Sequence, residues 1–188
     1  MAWERLSSRY LWQSPWYNLR EDRVRTPEGR EFTFTLVEHP GAVCIVPVTA
    51  EGQVVLIRNY RYPVGEHCLE VPAGGLSSDA SPEEAARREL GEEVGGTADA
   101  LEYVGRFYAS NGISNEIVHV YLATGVELGE PDREATEEME RRLVGVDEAL
   151  RMARSGEISD ALSALALLWC EGRLREMDVP REEPRRAE

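Results

Sequence analysis

Arg88-Glu89-Leu90-Gly91-Glu92-Glu93-Val94-Gly95 sets three carboxylates, those of Glu89, Glu92 and Glu93, at positions i, i+3 and i+4 of a segment with helical character. Side chains at that spacing share one face of a helix. Like charges so placed cost roughly a few tenths of a kcal/mol per pair in an isolated helix, so the face is most simply explained by a cation that occupies it. Hard divalent ions take oxygen ligands of this kind.

The residues before this stretch predict where the helix begins. Ser81 is placed as N-cap, Pro82 stands at the first helical position, where its missing N–H is no loss, and Glu84 closes a capping box with Ser81. Ala85 to Leu90 has high helix propensity throughout, and Gly95-Gly96 supplies a stop. The helix is therefore expected from about Pro82 to Val94, with its acidic face in the C-terminal half. The macrodipole is negative at that end and disfavours carboxylates. A residue type kept where the local field opposes it points to function.

Further upstream, Glu70-Val71-Pro72-Ala73-Gly74-Gly75-Leu76 reads as a strand end turning into a glycine-rich loop that leads to the helix. Gly74, Arg88, Glu89, Leu90, Glu92, Glu93 and Gly95 together resemble the signature of the Nudix hydrolase family. That signature runs glycine, five residues, glutamate, seven residues, arginine, glutamate, an apolar residue, any residue, two glutamates, any residue, glycine and an apolar residue. Two positions depart from it: Ala80 stands at the first glutamate and Gly96 at the last apolar position. In the family the first glutamate supports the loop and the arginine, so Ala80 bears on rate and loop stiffness more than on reaction type. The other acidic clusters, Glu83-Glu84 and Glu137-Glu138 with Glu140, lack such a frame and read as solvated faces.

The chain of 188 residues is one domain by size, 42% hydrophobic, without repeats or low-complexity blocks. A net charge of −14 argues against nucleic-acid or anionic-membrane surfaces, which call for clustered Lys and Arg. A small phosphate-bearing substrate is compatible if metal ions and local arginines offset the field. Met1-Ala2-Trp3-Glu4-Arg5 lacks the apolar core of a signal peptide, and no run approaches the roughly 18 apolar residues of a membrane span. The expectation is a cytoplasmic protein. Cys44, Cys68 and Cys170 have neither disulfide nor zinc spacing. Cys44 and Cys170 lie in apolar runs and read as small core residues, whereas Cys68 stays open.

Strands come first along the chain and helices close it. Strand-like stretches at 17–25 and 31–38 flank Thr26-Pro27-Glu28-Gly29, a hairpin turn. Residues 42–48 form a continuous apolar run suited to a buried strand, and after Glu51-Gly52-Gln53 another strand follows at 54–60. Strands are also expected at 100–107, 117–123 and 141–146, with an acidic loop at 127–138. Helices follow at 146–154, ended by Gly156, and at 159–177, with Ser159 as N-cap. Leu162, Leu165, Ala166, Leu168 and Trp169 form a stripe that reads as core packing. Residues 178–188, charged and proline-containing, read as a disordered tail.

The order of elements suits an α/β fold, a mixed sheet between helices, and the resemblance implies the Nudix-type α/β/α sandwich preceded by an N-terminal antiparallel hairpin. Residues 1–38 would form that strand region, 39–177 the hydrolase domain and 178–188 the tail. Within the family, Leu69-Glu70-Val71-Pro72-Ala73-Gly74 and Arg58-Asn59-Tyr60-Arg61-Tyr62-Pro63 look most like the ADP-ribose pyrophosphatase branch. Relatives there are commonly homodimers that exchange N-terminal strands. The resemblance implies Arg61 as a contact to substrate phosphate, with Arg58 and Glu70 beside it. The planar fork of arginine meets phosphate oxygens two at a time. A proline common in that branch is replaced in Ser110-Asn111-Gly112, which leaves FAD or another nucleoside diphosphate sugar open beside ADP-ribose. Glu116, in Ile113-Ser114-Asn115-Glu116, is the candidate for a polar contact to substrate or to water on the metal. Trp12, Trp16 and Tyr17 are the nearest aromatic residues that could stack on a base, although core or interface packing is the commoner use of such residues.

A pyrophosphate repels an attacking hydroxide, so the expected cofactor is Mg²⁺, with Mn²⁺ as an alternative, to neutralise the oxygens and lower the pKa of water. Glu89 and Glu93 are the expected direct ligands, Glu92 completes the cluster, and Ala73 or Gly74 contributes a backbone carbonyl. Arg88 would orient the glutamates. The resemblance places the general base on the later acidic loop, at Glu137, with Glu134 and Glu138 as rivals. The expected reaction is hydrolysis of ADP-ribose to AMP and ribose 5-phosphate. Two other classes stand beside it: a non-catalytic nucleotide-sugar binding module, and a prenyl diphosphate isomerase that would need Cys68 in the pocket.

Overall fold

A computed structural model of the chain describes residues 2–77, 79–132 and 139–177. Three antiparallel strands, β1 (Glu4–Gln13), β2 (Asn18–Arg25) and β3 (Glu31–Glu38), make a separate sheet in the order β1-β2-β3. The β2–β3 hairpin turns at Thr26-Pro27-Glu28-Gly29, as its composition predicts. The addition of β1 was not legible in the sequence, because Glu4–Gln13 is almost wholly exposed and carries no buried apolar face. Backbone pairing with β2 holds it, together with polar contacts such as Ser8 Oγ to Asp22 Oδ1 at 2.6 Å and Arg25 Nη1 to Glu4 Oε2 at 3.0 Å.

The second sheet is mixed. Its strands are β4 (Ala42–Thr49), β5 (Gln53–Arg61), β6 (Glu66–Glu70), β7 (Ala73–Gly75), β8 (Gly96–Thr97), β9 (Ala100–Tyr108), β10 (Ile117–Leu128) and β11 (Met139–Gly145). The central path is β11-β5-β4-β10-β8, with β6 on β5, β7 on β4 and β9 on β10. β10 runs parallel to β4, and the other pairs are antiparallel. The short strands β6 and β7 fall in the stretch read as a strand end and loop. They form because β5 and β4 each offer a free edge to them.

Three helices cover this sheet: α1 (Pro82–Val94), α2 (Val146–Ser155) and α3 (Ala161–Met177). Residues alternate across β4 and β5, as the period of two in a strand requires. Val43, Ile45, Val55 and Ile57 pack with Ala85, Ala86, Leu90 and Val94 of α1. Cys44, Val46, Val48 and Leu56 pack on the other side with Leu150, Met152, Leu167 and Cys170. Both faces of the central strands are therefore dry, which is why 42–48 reads as one continuous apolar run. The architecture is the expected α/β/α sandwich. At about 1.5–3 kcal/mol for each large buried aliphatic side chain, these two layers are the main source of stability.

The buried face of α3 is Ser163, Ala166, Leu167, Cys170 and Leu174; of the stripe expected at Leu162, Leu165, Ala166, Leu168 and Trp169, Ala166 is in the core and Leu162 and Leu168 pack partly buried against it. Trp169 lies at the edge, with its ring against Phe107. The cap of α3 is Asp160, not Ser159: its carboxylate accepts from the Ser163 N–H at 2.9 Å and its carbonyl from the Ala164 N–H at 3.0 Å. No helix among the described residues is long and apolar enough to cross a membrane. The tail at 178–188 lies outside the described residues.

α1 begins as its sequence predicts, with Ser81 and Glu84 capping each other and the Glu84 carboxyl held below its usual range by the Ser81 hydroxyl and N–H. It ends at Gly95, whose φ of 63° is left-handed. A side chain there would collide with the Gly129 carbonyl. The last turn of α1 contains no basic residue. Arg141, from β11, instead donates to the Val94 carbonyl at 3.0 Å and to the Gly129 carbonyl at 2.7 Å. Replacing this cation at a helix C-terminus by Met is expected to cost about 1–2 kcal/mol, read as a lower urea midpoint at unchanged slope.

Candidate active site

The turn from β6 through β7 is held at successive residues. Arg61 Nε and Nη2 donate to the Glu70 carboxylate at 2.8 and 2.6 Å, and Glu70 itself is buried. The Val71 N–H donates to Ser163 Oγ at 3.0 Å, and the Ile45 N–H donates to the Pro72 carbonyl at 2.8 Å. The Ala73 N–H donates to Glu93 Oε2 at 2.9 Å. Ala73, Gly74 and Gly75 then pair with Cys44, Val43 and Ala42 of β4. A strand edge, a helix start and a helix end thus converge on one short turn, which gives it the rigidity a reactive centre needs.

Glu89 crosses this turn at Gly74. A Cβ on Gly74 would occupy the space taken by the Glu89 carboxyl group, so glycine is required for the approach. Arg88 Nη2 donates to Glu89 Oε1 at 2.6 Å, and Arg88 Nε lies 3.4 Å from Glu92 Oε2. The bond to Glu89, with the charges of both glutamates, holds the Arg88 guanidinium above its ordinary pKa. The three glutamates differ in exposure. Glu93 is 3% exposed, Glu89 is largely covered, and Glu92 is half-buried.

These groups border a cavity of about 730 Å³ whose walls include Gly74, Arg88, Glu89, Glu92, Glu116 and Trp16. His39 lies there too, with Nδ1 accepting from the Gly41 N–H at 3.1 Å and lying 3.5 Å from Glu116 Oε1. The N-terminal sheet reaches this wall because the Val37 N–H donates to the Ile113 carbonyl at 2.8 Å and the His39 N–H to Asn115 Oδ1 at 2.8 Å. A second cavity, of about 560 Å³, opens beside Arg61 and Glu70 and shares Ala73 with the first as a lining residue.

Arg88, Glu89, Glu92, Ala73 and Glu116 therefore surround one cavity, with Glu93 buried against Ala73. Arg61 and Glu70 line the second cavity. Arg58 lines neither of these two, and its guanidinium lies 3.8 Å from Glu140 on β11. Glu134, Glu137 and Glu138 lie outside the described residues. Trp12, Trp16 and Tyr17 are exposed, so a core role for them is corrected; Trp16, at 73%, is the one of the three on the wall of the first cavity. Sequence reasoning missed His39 and Ser163. Neither belongs to a spaced pattern, and both act through partners distant in the chain.

The oxygen donors at hand, carboxylates of Glu89, Glu92 and Glu93 with backbone carbonyls at Ala73 and Gly74, are those a hard divalent cation takes. Among the described residues no three acidic, His or Cys groups already converge as a closed set. Glu93 is engaged by the Ala73 N–H and Glu89 by Arg88, so a cation would compete with these two contacts for their oxygens.

Residues 38–164 match the NUDIX domain, and residues 3–37 match the nucleoside diphosphate sugar hydrolase N-terminal domain. The chain is 37% identical over 156 residues to an ADP-ribose pyrophosphatase of Bacillus subtilis, covering 82% of this chain and 84% of that one. It is 36% identical over 168 residues to an ADP-ribose pyrophosphatase of Mycobacterium tuberculosis, covering 88% and 81%. A crystal structure of an ADP compounds hydrolase superimposes with a TM-score of 0.81 at 18% identity, covering 95% of this chain and 97% of that one. The last likeness is one of fold.

Two substitutions test how the turn is held. Ser163→Ala leaves the Val71 N–H buried without its acceptor and is expected to cost about 1–3 kcal/mol. Arg61→Ala leaves the buried Glu70 carboxylate unpaired and is expected to cost about 3–5 kcal/mol, more than Ser163→Ala. Both are read by chemical denaturation.

Proposed function

The chain belongs to the Nudix hydrolase family, and from that premise we propose that it hydrolyses the pyrophosphate bond of ADP-ribose to AMP and ribose 5-phosphate. The observation that carries the proposal is the placement of Arg88, Glu89 and Glu92 around a cavity that Trp16 and Glu116 complete. The names of the relatives from Bacillus and Mycobacterium support the choice of substrate.

Glu89 and Glu93, with the Ala73 carbonyl and Glu92, are the residues that would hold Mg²⁺, or Mn²⁺ in its place. Bound there, the ion supplies neutralisation of the phosphate oxygens and a lower pKa for the attacking water. Arg88 keeps the Glu89 carboxylate directed across Gly74. Arg61 offers its remaining N–H groups to phosphate while Glu70 fixes its plane. Trp16 gives the adenine a flat apolar partner, and Glu116 an acceptor for a ribose hydroxyl. Arg58, which lines neither cavity and lies beside Glu140, would act on the anionic substrate only through its charge. Glu137 is the proposed general base, in the segment between Gly129 and Met139.

The exposed Tyr10, Leu11, Trp12 and Trp16 support a homodimer formed through the N-terminal sheet, since an apolar surface of this kind is commonly covered by a partner. The strand region over 1–38 is then the dimer element, joined to a hydrolase domain over 39–177. The acidic surface supports a small nucleoside diphosphate derivative as substrate, without nucleic acid or membrane as partner. Scattered thiols without disulfide spacing support a cytoplasmic location. Cys68 stands on the second cavity, with Ser159, and lines no part of the cavity bordered by Glu89 and Glu92, which counts against isomerase chemistry.

The test is phosphatase-coupled phosphate release from ADP-ribose with Mg²⁺, beside FAD and other nucleoside diphosphate sugars. Turnover of ADP-ribose is expected to exceed that of the others. Glu93→Gln is expected to lose more than the roughly 10–100-fold typical of an outer partner of a metal site; turnover within a few-fold of wild type would remove Glu93 from the ligand set. Gly74→Ala, which displaces the Glu89 carboxylate, is expected to lower kcat by about 100-fold with little change in thermal midpoint.

A further inference from the structure

We infer that His39 is a positioning residue for the reaction: by accepting the Gly41 N–H, its imidazole fixes the exit of the glycine-rich turn. The inference rests on the pyrophosphatase reading and deepens it, because this turn carries the proposed backbone donors to the metal and is crossed by Glu89. The entrance of the turn is held at Val71, Pro72 and Ala73. Its exit is held by the Leu76 N–H, which donates to the Gly41 carbonyl at 2.9 Å.

That acceptor is itself in a demanding place. Ala42 pairs with Gly75 of β7 on one side and with Val118 of β10 on the other. Gly41, one residue earlier, therefore sits between Leu76 and Ile117. Its φ is 114°, and a Cβ there would press against the Ile117 carbonyl and Leu76 Cδ1, each at 3.0 Å. The position requires glycine, yet glycine is the residue freest to leave such a conformation. A neighbour has to select it.

His39 supplies that selection. Its Nδ1 accepts from the Gly41 N–H at 3.1 Å, a side-chain bond to the backbone two residues on, the span of an Asx turn. Glu116 Oε1 lies 3.5 Å from the same nitrogen, longer than the roughly 2.7–3.2 Å of an N–H···O bond. Gly41 is therefore the ring's bonded partner, and the neutral imidazole must carry its proton on Nε2. The residue is anchored in turn. Its own N–H donates to Asn115 Oδ1 at 2.8 Å, and the Val37 N–H before it donates to the Ile113 carbonyl at 2.8 Å. The N-terminal sheet and the 113–115 loop thus hold His39, which holds Gly41, which holds Leu76 at the end of the turn that Glu89 crosses.

Two substitutions separate the ring nitrogens. Asn at position 39 puts an amide oxygen where Nδ1 stands and closes the same two-residue turn, whereas Gln puts its amide where Nε2 stands and does not. The experiment measures ADP-ribose hydrolysis with Mg²⁺ by the wild type, His39→Asn and His39→Gln. Beside it, amide hydrogen exchange at Leu76 and the nitrogen NMR shifts of His39 are measured in the free full chain. His39→Gln is expected to lower kcat by at least about tenfold with KM within about twofold of wild type. Its Leu76 amide should exchange at least about tenfold faster, while that of Leu56 in the core keeps its rate. His39→Asn should recover kcat and Leu76 exchange to within about threefold.

An Asn variant as slow as the Gln variant would overturn the assignment, and so would recovery by Gln but not by Asn. A rise in KM at unchanged kcat would overturn it too, since the ring would then be a substrate contact. Shifts that place the proton of the neutral wild-type ring on Nδ1 would do the same, whether or not either variant folds. Failure of the wild type to hydrolyse ADP-ribose would instead overturn the pyrophosphatase reading, while exchange and shifts still decide whether His39 holds the turn.

Discussion

The hydrogen bond from the Ala73 N–H to the Glu93 carboxylate joins the glycine-rich turn to the last turn of α1, and the site is arranged around it. Glu93 is a buried carboxylate near the negative end of a helix, a position the macrodipole opposes. A charge-assisted bond from a backbone N–H lowers that cost. Arg141 lowers it further by donating to the carbonyl of Val94 where α1 itself has no base to offer. The helix can therefore end in carboxylates because two other elements, β7 and β11, supply the donors.

The turn can serve as that donor because it is held from behind. Ser163 reaches it from the first turn of α3 and accepts from the Val71 N–H while donating to Asp160 at 2.6 Å, so the cap of α3 and the turn share one hydroxyl. Glu70 is locked by Arg61, and Pro72 by Ile45 of β4. The two dry faces of the central sheet make this possible. With α1 packed on one side and α3 on the other, helix ends from both layers reach the same strand edge.

The N-terminal sheet contributes differently. It has little core of its own, and its buried polar groups are satisfied within it, as when Asp22, despite burial that would raise its pKa, is held low by Ser8 and Arg20. Its attachment to the rest of the molecule runs through Val37 and His39 to the 113–115 loop. That attachment carries Trp16 to a cavity whose other wall is the acidic helix. A single site is thus built from segments at opposite ends of the first 120 residues.

The amino-acid sequence determined by itself what depends on local spacing: the capped helix from Pro82 to Val94, the common face of Glu89, Glu92 and Glu93, the glycine at position 74 and the buried strands at 42–48 and 54–60. Each is set by interactions within a few residues or by a period of two or 3.6, and these are visible in a linear chain. It left unread whatever needs a distant partner. β1 forms by pairing with β2 without an apolar face. The cap of α3 fell to Asp160 because Asp160 also meets the Ser163 hydroxyl that holds Val71. Arg141 closes a helix from 47 residues away. Which residues line each cavity was decided only by the tertiary structure, since only packing brings Trp16 and Glu89 to the wall of one cavity and Leu162 to the wall of another, with Ala73 on both.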